Sequence, residues 1–144
     1  MKEFVLDASV VAKWIFQEED SEKAEIFRQE LKDEKIKIFV PEFLWLELAN
    51  ICWLKVKRKF STVEKAIEGL GQILDSPLKF YPDRELADVA LENALRFGVP
   101  AYDGLYLALA EVYFAPLVTA DEKLFKICRG RFDFIESLKE VELS

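Results

Sequence analysis

Histidine is absent from this chain of 144 residues, and cysteine occurs only twice, as Cys52 and Cys128. Without imidazole there is no Ser-His or Cys-His nucleophile pair and no histidine zinc site. The two cysteines lie too far apart in sequence to form a metal-binding pair. Cys52 sits in an apolar helical run, and both read as small core hydrophobes. Five Gly and five Pro, against a composition that is 51% hydrophobic, leave no linker or low-complexity tract and point to a packed globule. No apolar run reaches the length of a membrane span. Only Phe4, Val5 and Leu6 separate Lys2-Glu3 from Asp7, so no secretory signal is expected and the cytoplasm is the expected compartment. The length suits one domain over residues 1–144.

Positive charge is also in deficit: 27 acidic residues against 20 basic ones give a net charge of −7. A surface of that sign does not bind nucleic acid non-specifically, and any polyanionic substrate would have to be met by a metal and a local basic patch. With no histidine and no cysteine pair, a metal here must be held by oxygen. Hard oxygen ligands suit Mg²⁺ or Mn²⁺.

What the sequence does contain is an alternation of short β-type runs and longer helical periods. Strands are expected at Phe4–Leu6, Lys37–Val40, Leu78–Tyr81, Leu117–Thr119 and Phe132–Ile135. Helices are expected at Ser9–Phe16, Ser21–Lys35, Glu42–Lys59, from Ser61 with Glu64 completing a capping box, after Pro82-Asp83 up to Gly98, at Tyr102–Tyr113 and at Asp121–Cys128. Strand–helix alternation implies an α/β fold with a mainly parallel sheet and helices on both faces. Ligands of such sheets sit beyond the carboxyl ends of the strands. Asp7 and Asp121 both follow strands directly.

Four acids stand out. Asp7, Asp103 and Asp121 each open a helix and could serve as simple caps. Glu47 is different, because it interrupts Phe43–Leu54, a helix that is apolar on nearly every side and is therefore expected to be buried. A buried carboxylate needs a structural Lys or Arg, or a metal, and the metal is the better explanation. Asn50, three residues on, would share its face and orient it. Clustered carboxylates raise one another's pKa, and a divalent cation removes that repulsion. One or two such ions can activate a water against a phosphodiester. An aspartyl-phosphate phosphatase would need a second Asp where Ser9 stands, and a receiver domain would need adjacent acids near the first strand; neither pattern is present.

The segments Val5-Leu6-Asp7-Ala8-Ser9-Val10-Val11, Glu47-Leu48-Ala49-Asn50, Tyr102-Asp103-Gly104-Leu105-Tyr106-Leu107-Ala108-Leu109-Ala110 and Leu117-Val118-Thr119-Ala120-Asp121 resemble, in order, the acidic motifs of PIN-domain nucleases. The likeness is strongest to VapC-type toxins of toxin–antitoxin pairs, and it spans essentially the whole chain. It implies a three-layer α/β/α sandwich, usually a homodimer, with Mg²⁺- or Mn²⁺-dependent endoribonuclease activity and a cognate VapB-type antitoxin. Asp7, Glu47, Asp103 and Asp121 would form the catalytic and metal site, with Ser9, Asn50 and Thr119 behind them. RNA would be cut by in-line attack of an activated water, leaving a 5′-phosphate and a 3′-hydroxyl. A PIN-like scaffold that binds RNA or a partner protein without cutting is the alternative. Gly104 departs from the family's usual Ala and could loosen the start of its helix. For the RNA backbone the candidates are Lys13, the cluster Lys55, Lys57, Arg58 and Lys59, and the cluster Lys126, Arg129 and Arg131. Trp14, Trp45, Trp53 and Tyr106 could stack on bases, although helical spacing favours a core or interface role.

Overall fold

A computed structural model describes residues 1–143. Its framework is a five-stranded sheet: β1 (Lys2–Leu6), β2 (Ile36–Pro41), β3 (Lys79–Tyr81), β4 (Leu117–Thr119) and β5 (Ile135–Ser137). All four pairings are parallel, in the order β3-β2-β1-β4-β5. Parallel strands need crossover connections, and here each is helical: α1 (Ala8–Val11), which runs into a 3-10 turn, and α2 (Ser21–Lys32); α3 (Phe43–Lys57) and α4 (Val63–Leu74); α5 (Ala87–Phe97) and α6 (Ala101–Tyr113); and α7 (Glu122–Cys128). The chain first moves outward through β2 and β3, then returns past β1 to β4 and β5. With right-handed crossovers, that reversal puts the connections on opposite faces of the sheet and opens a crevice between β1 and β4.

The central strand β1 is the most enclosed, with Phe4, Val5 and Leu6 all buried. Helix α6 covers β1 and β2 and is itself covered by α5, so every residue from Gly104 to Ala110 is buried. The helix enclosed on all sides is therefore α6 and not α3. In α3 only Leu44, Leu48 and Cys52, spaced by four, are buried; Leu46 and Trp53 remain 68% and 55% exposed. Composition alone could not distinguish these two apolar helices, because burial depends on whether a second layer of structure covers the outer face.

Several expected boundaries shift. The fifth strand is Ile135–Ser137 and not Phe132–Ile135, because Leu117 and Thr119 of β4 pair with Ile135 and Ser137. The N-cap of α4 is Thr62, whose hydroxyl accepts from the Lys65 amide, in place of Ser61. Helix α5 follows a 3-10 turn at Asp83–Leu86 and ends at Gly98, whose φ of 69° favours glycine. Among the described residues, no helix is long and apolar enough to cross a membrane.

Candidate active site

Asp7 follows β1 at the β1/β4 crevice and is 7% exposed. Its Oδ1 accepts from the Ser9 amide at 3.1 Å, capping α1, and also from the Ser9 hydroxyl. Its Oδ2 accepts from Thr119 Oγ1 at 2.5 Å. Both hydroxyls are anchored in turn: Ser9 Oγ accepts from the Ala120 amide across the crevice at 2.9 Å, and Thr119 Oγ1 accepts from the Asp121 amide two residues on at 3.0 Å. Ser9 and Thr119 thus tie the ends of β1 and β4 together and fix the plane of the Asp7 carboxyl. Burial raises its pKa to about 6, against the lowering effect of these hydrogen bonds, and the Asp121 charge adds to the rise.

Glu47 reaches the same region from α3 and is partly buried. Its partner is neither a Lys nor an Arg. Tyr106 donates its hydroxyl to Glu47 Oε1 at 2.7 Å from the middle of α6, and is 1% exposed. Burial pushes the Glu47 carboxyl up to about 7; the Tyr106 bond opposes the rise, and the charges of Asp7, Asp103 and Asp83 reinforce it. Asn50 does not orient Glu47. It is exposed on a part of α3 that lines an open groove. Tyr106 takes that role, and its own pKa lies well above the usual phenol range because of burial and the neighbouring Glu47 charge, so it stays a donor. The signal was present in the sequence: Tyr106 lies three residues after Asp103, on the same face of one helix.

Asp103 stands in the first turn of α6, half-buried, with its pKa raised to about 6 by burial and then by Asp7 and Asp121. Asp121 is exposed, and its Oδ1 caps α7 by accepting from the Lys123 and Leu124 amides at 3.0 and 3.2 Å. A fifth acid, Asp83, borders the group. Its Oδ1 accepts from the Phe43 amide at 3.3 Å, which closes the open N-terminus of α3, and burial raises its pKa. The sequence reading took Asp83 only as the lead into a helix.

The structure therefore brings Glu47, Asp103 and Asp121 each into electrostatic range of Asp7. The ion pairs of the described residues go elsewhere, to Glu18 and Glu19. A group of carboxyls left to repel one another suits a hard divalent cation in both charge and donor type. Among the described residues, no three of them yet converge on one coordination point.

The other candidates separate clearly. Lys13 and Lys55 are both paired with Glu18, at 3.5 and 2.5 Å, and Lys55 also covers the Phe16 and Phe60 rings, so neither is free for a phosphate. Trp14 is core, donating its indole N–H to the Ala24 carbonyl at 2.8 Å, and Tyr106 is buried beneath the site. Of the four aromatics only Trp53 is broadly exposed, with Lys57 over its ring. Gly104 does not loosen α6. A Cβ there would lie 2.2 Å from the Ala90 carbonyl oxygen, so the bare backbone is what lets α5 and α6 approach closely.

Known proteins resemble this chain in sequence and fold. The PIN domain family model matches residues 4–130. Ribonuclease VapC3 of Pyrobaculum aerophilum is 30% identical over 122 residues, covering 83% of this chain and 90% of that protein. The crystal structure of PAE2754 from Pyrobaculum aerophilum superposes with a TM-score of 0.71 at 23% identity, over 96% of this chain and 85% of that one. A toxin-antitoxin complex from Klebsiella pneumoniae gives 0.62 at 13% identity, over 96% and 99%. With the acidic motifs at the β1/β4 switch and a family match over most of its length, the chain belongs to the PIN-domain family.

Proposed function

We propose that this protein is a divalent-metal-dependent endoribonuclease, acting as the toxin of a VapBC-type pair in the cytoplasm, with Asp7, Glu47, Asp103 and Asp121 as its acidic site. The observation that carries the reading is the approach of four carboxyls from four separate elements near the carboxyl ends of β1 and β4, with three pKa values raised toward neutrality. A purely structural cluster of that kind would weaken the fold without return. The family match and the ribonuclease relative support the chemistry.

Asp7, Glu47 and Asp103 would hold Mg²⁺ or Mn²⁺, with Asp121 completing the site. When bound, such an ion supplies a Lewis acid that acidifies water and offsets the charge developing on a phosphodiester. The protein's own groups do the positioning. Ser9 and Thr119 hold Asp7 rigid, and Tyr106 occupies Oε1 of Glu47 so that Oε2 is left for the cation. A protein partner suits the groove of about 680 Å³ beside Glu47, lined by Phe43, Leu46, Trp53 and Tyr102. We assign it to a VapB-type antitoxin, in keeping with the fold shared with a toxin-antitoxin complex. A second exposed apolar surface, at Leu91 and Leu95 of α5 and Val112 and Phe114 at the end of α6, leaves area for a homodimer.

The test is Mn²⁺-dependent cleavage of mixed RNA by the wild type and by Asp7→Asn and Glu47→Gln. Each substitution should reduce the rate by about a hundredfold or more. Metal-dependent cleavage that survives in the double variant would overturn the assignment. Metal-independent RNA binding without cutting would favour the scaffold reading.

A further inference from the structure

The basic residues tied up in ion pairs at Glu18 leave open where a negatively charged chain holds an RNA backbone. Beside the C-terminal ends of α5 and α7, Arg96 and Arg131 form a reciprocal clasp. Arg131 Nη2 donates to the Arg96 carbonyl at 2.9 Å, and Arg96 Nη2 donates to the Arg131 carbonyl at 3.5 Å. Both guanidinium carbons lie over the ring of Phe97, at 4.7 and 5.0 Å from its centroid. That ring is buried and held edge-on by Phe132. Two like charges are thus fixed beside one aromatic platform. Among the described residues neither guanidinium has an ion-pair partner, although Glu92 and Asp133 are close in sequence.

Each half of the clasp is linked through the chain to an acid of the site. Arg96 ends α5, and a short turn through Gly98 leads to Asp103 at the start of α6. Arg131 follows α7, whose N-cap is Asp121. Seven helical residues separate the two ends of α7 by about 10 Å, the scale of a few nucleotides along a strand.

We infer that the Arg96–Arg131 clasp, where the ends of α5 and α7 meet, is a phosphate-binding subsite for single-stranded RNA. This rests on the ribonuclease reading for its substrate. Each guanidinium spends one N–H on a backbone carbonyl and keeps the others for a phosphate fork, and its stacked plane offers no competing carboxylate. Pre-ordering on Phe97 reduces the entropy lost when RNA binds.

The test uses the Asp7→Asn protein with EDTA and a short fluorescein-labelled RNA of mixed sequence, read by anisotropy across a salt series. Arg96→Gln/Arg131→Gln should bind about tenfold more weakly and lose about 1.4 from the slope of log affinity against log salt. Arg96→Lys/Arg131→Lys should recover most of that slope, because it restores the charge. Arg96→Gln alone, on an exposed helical position, carries half the effect should the double variant fail to fold. The inference is overturned by an unchanged affinity and slope, or by a lowered Tm with RNA binding intact, since a mere latch between α5 and α7 would behave that way. Metal-dependent cleavage by the wild type is scored separately. Loss of cutting with clasp-dependent binding retained counts against the nuclease reading alone, and cutting that ignores the clasp counts against this subsite alone.

Discussion

The Tyr106 hydroxyl donates to Glu47 Oε1 at 2.7 Å. Tyr106 is enclosed on α6 and Glu47 reaches it from α3, so one hydrogen bond couples the two helices at the candidate site. The bond favours the ionised carboxylate, against the burial that holds Glu47 at about 7. Tyr106→Phe removes that help and leaves Oε1 without its donor. The expected outcome is a stability loss of about 1 kcal/mol and a further rise in the Glu47 pKa. The acid limb of a pH–rate profile should move to higher pH, and Mn²⁺ affinity measured by calorimetry at neutral pH should fall. An unmoved profile with only a lower Tm would make the contact purely structural.

At the scale of elements, the closest fit is between α5 and α6. The Ala90 carbonyl lies where a Gly104 side chain would be, and Asn93 donates to the Gly104 carbonyl at 3.2 Å. Gly104→Ala, the residue more usual in the family, should therefore cost about 1–3 kcal/mol by forcing the helices apart. In contrast, a Cβ on Gly71 in α4 meets nothing within 4 Å. Gly71→Ala should stabilise by about 0.5–1 kcal/mol through helix propensity. Urea unfolding of the two variants checks both signs. That position 104 is Gly is visible in the sequence; why it is Gly is not, because the reason is how closely a neighbouring helix approaches.

For the whole molecule, the acidic site is a source of pH-dependent instability. Asp7 and Asp103 are raised from 3.8 to about 6, and Glu47 from 4.5 to about 7. A folded pKa above the unfolded value means the native state binds protons more tightly. The associated stability is fully present below about pH 4 and is lost as pH rises through about 6 to 7. The metal-free protein should therefore melt at a lower temperature at about pH 8 than at about pH 5. Mg²⁺ or Mn²⁺ should restore Tm at the higher pH and have little effect at the lower. Equal metal stabilisation at both pH values would show that the ion binds elsewhere.

The sequence by itself determined the alternation of strands and helices, the oxygen-only donor set, and the identity and order of the acids. These are local properties: a carboxylate after a strand, a helical period, the lack of imidazole. Only the tertiary structure decided that α6 and not α3 is enclosed, that Tyr106 and not Asn50 meets Glu47, and that Asp83 joins the group. It likewise showed Lys13 and Lys55 turned to Glu18 and Arg96 brought to Arg131. Each of these depends on which distant elements pack together, and an apolar or charged residue carries no mark in sequence of the neighbour that will cover it.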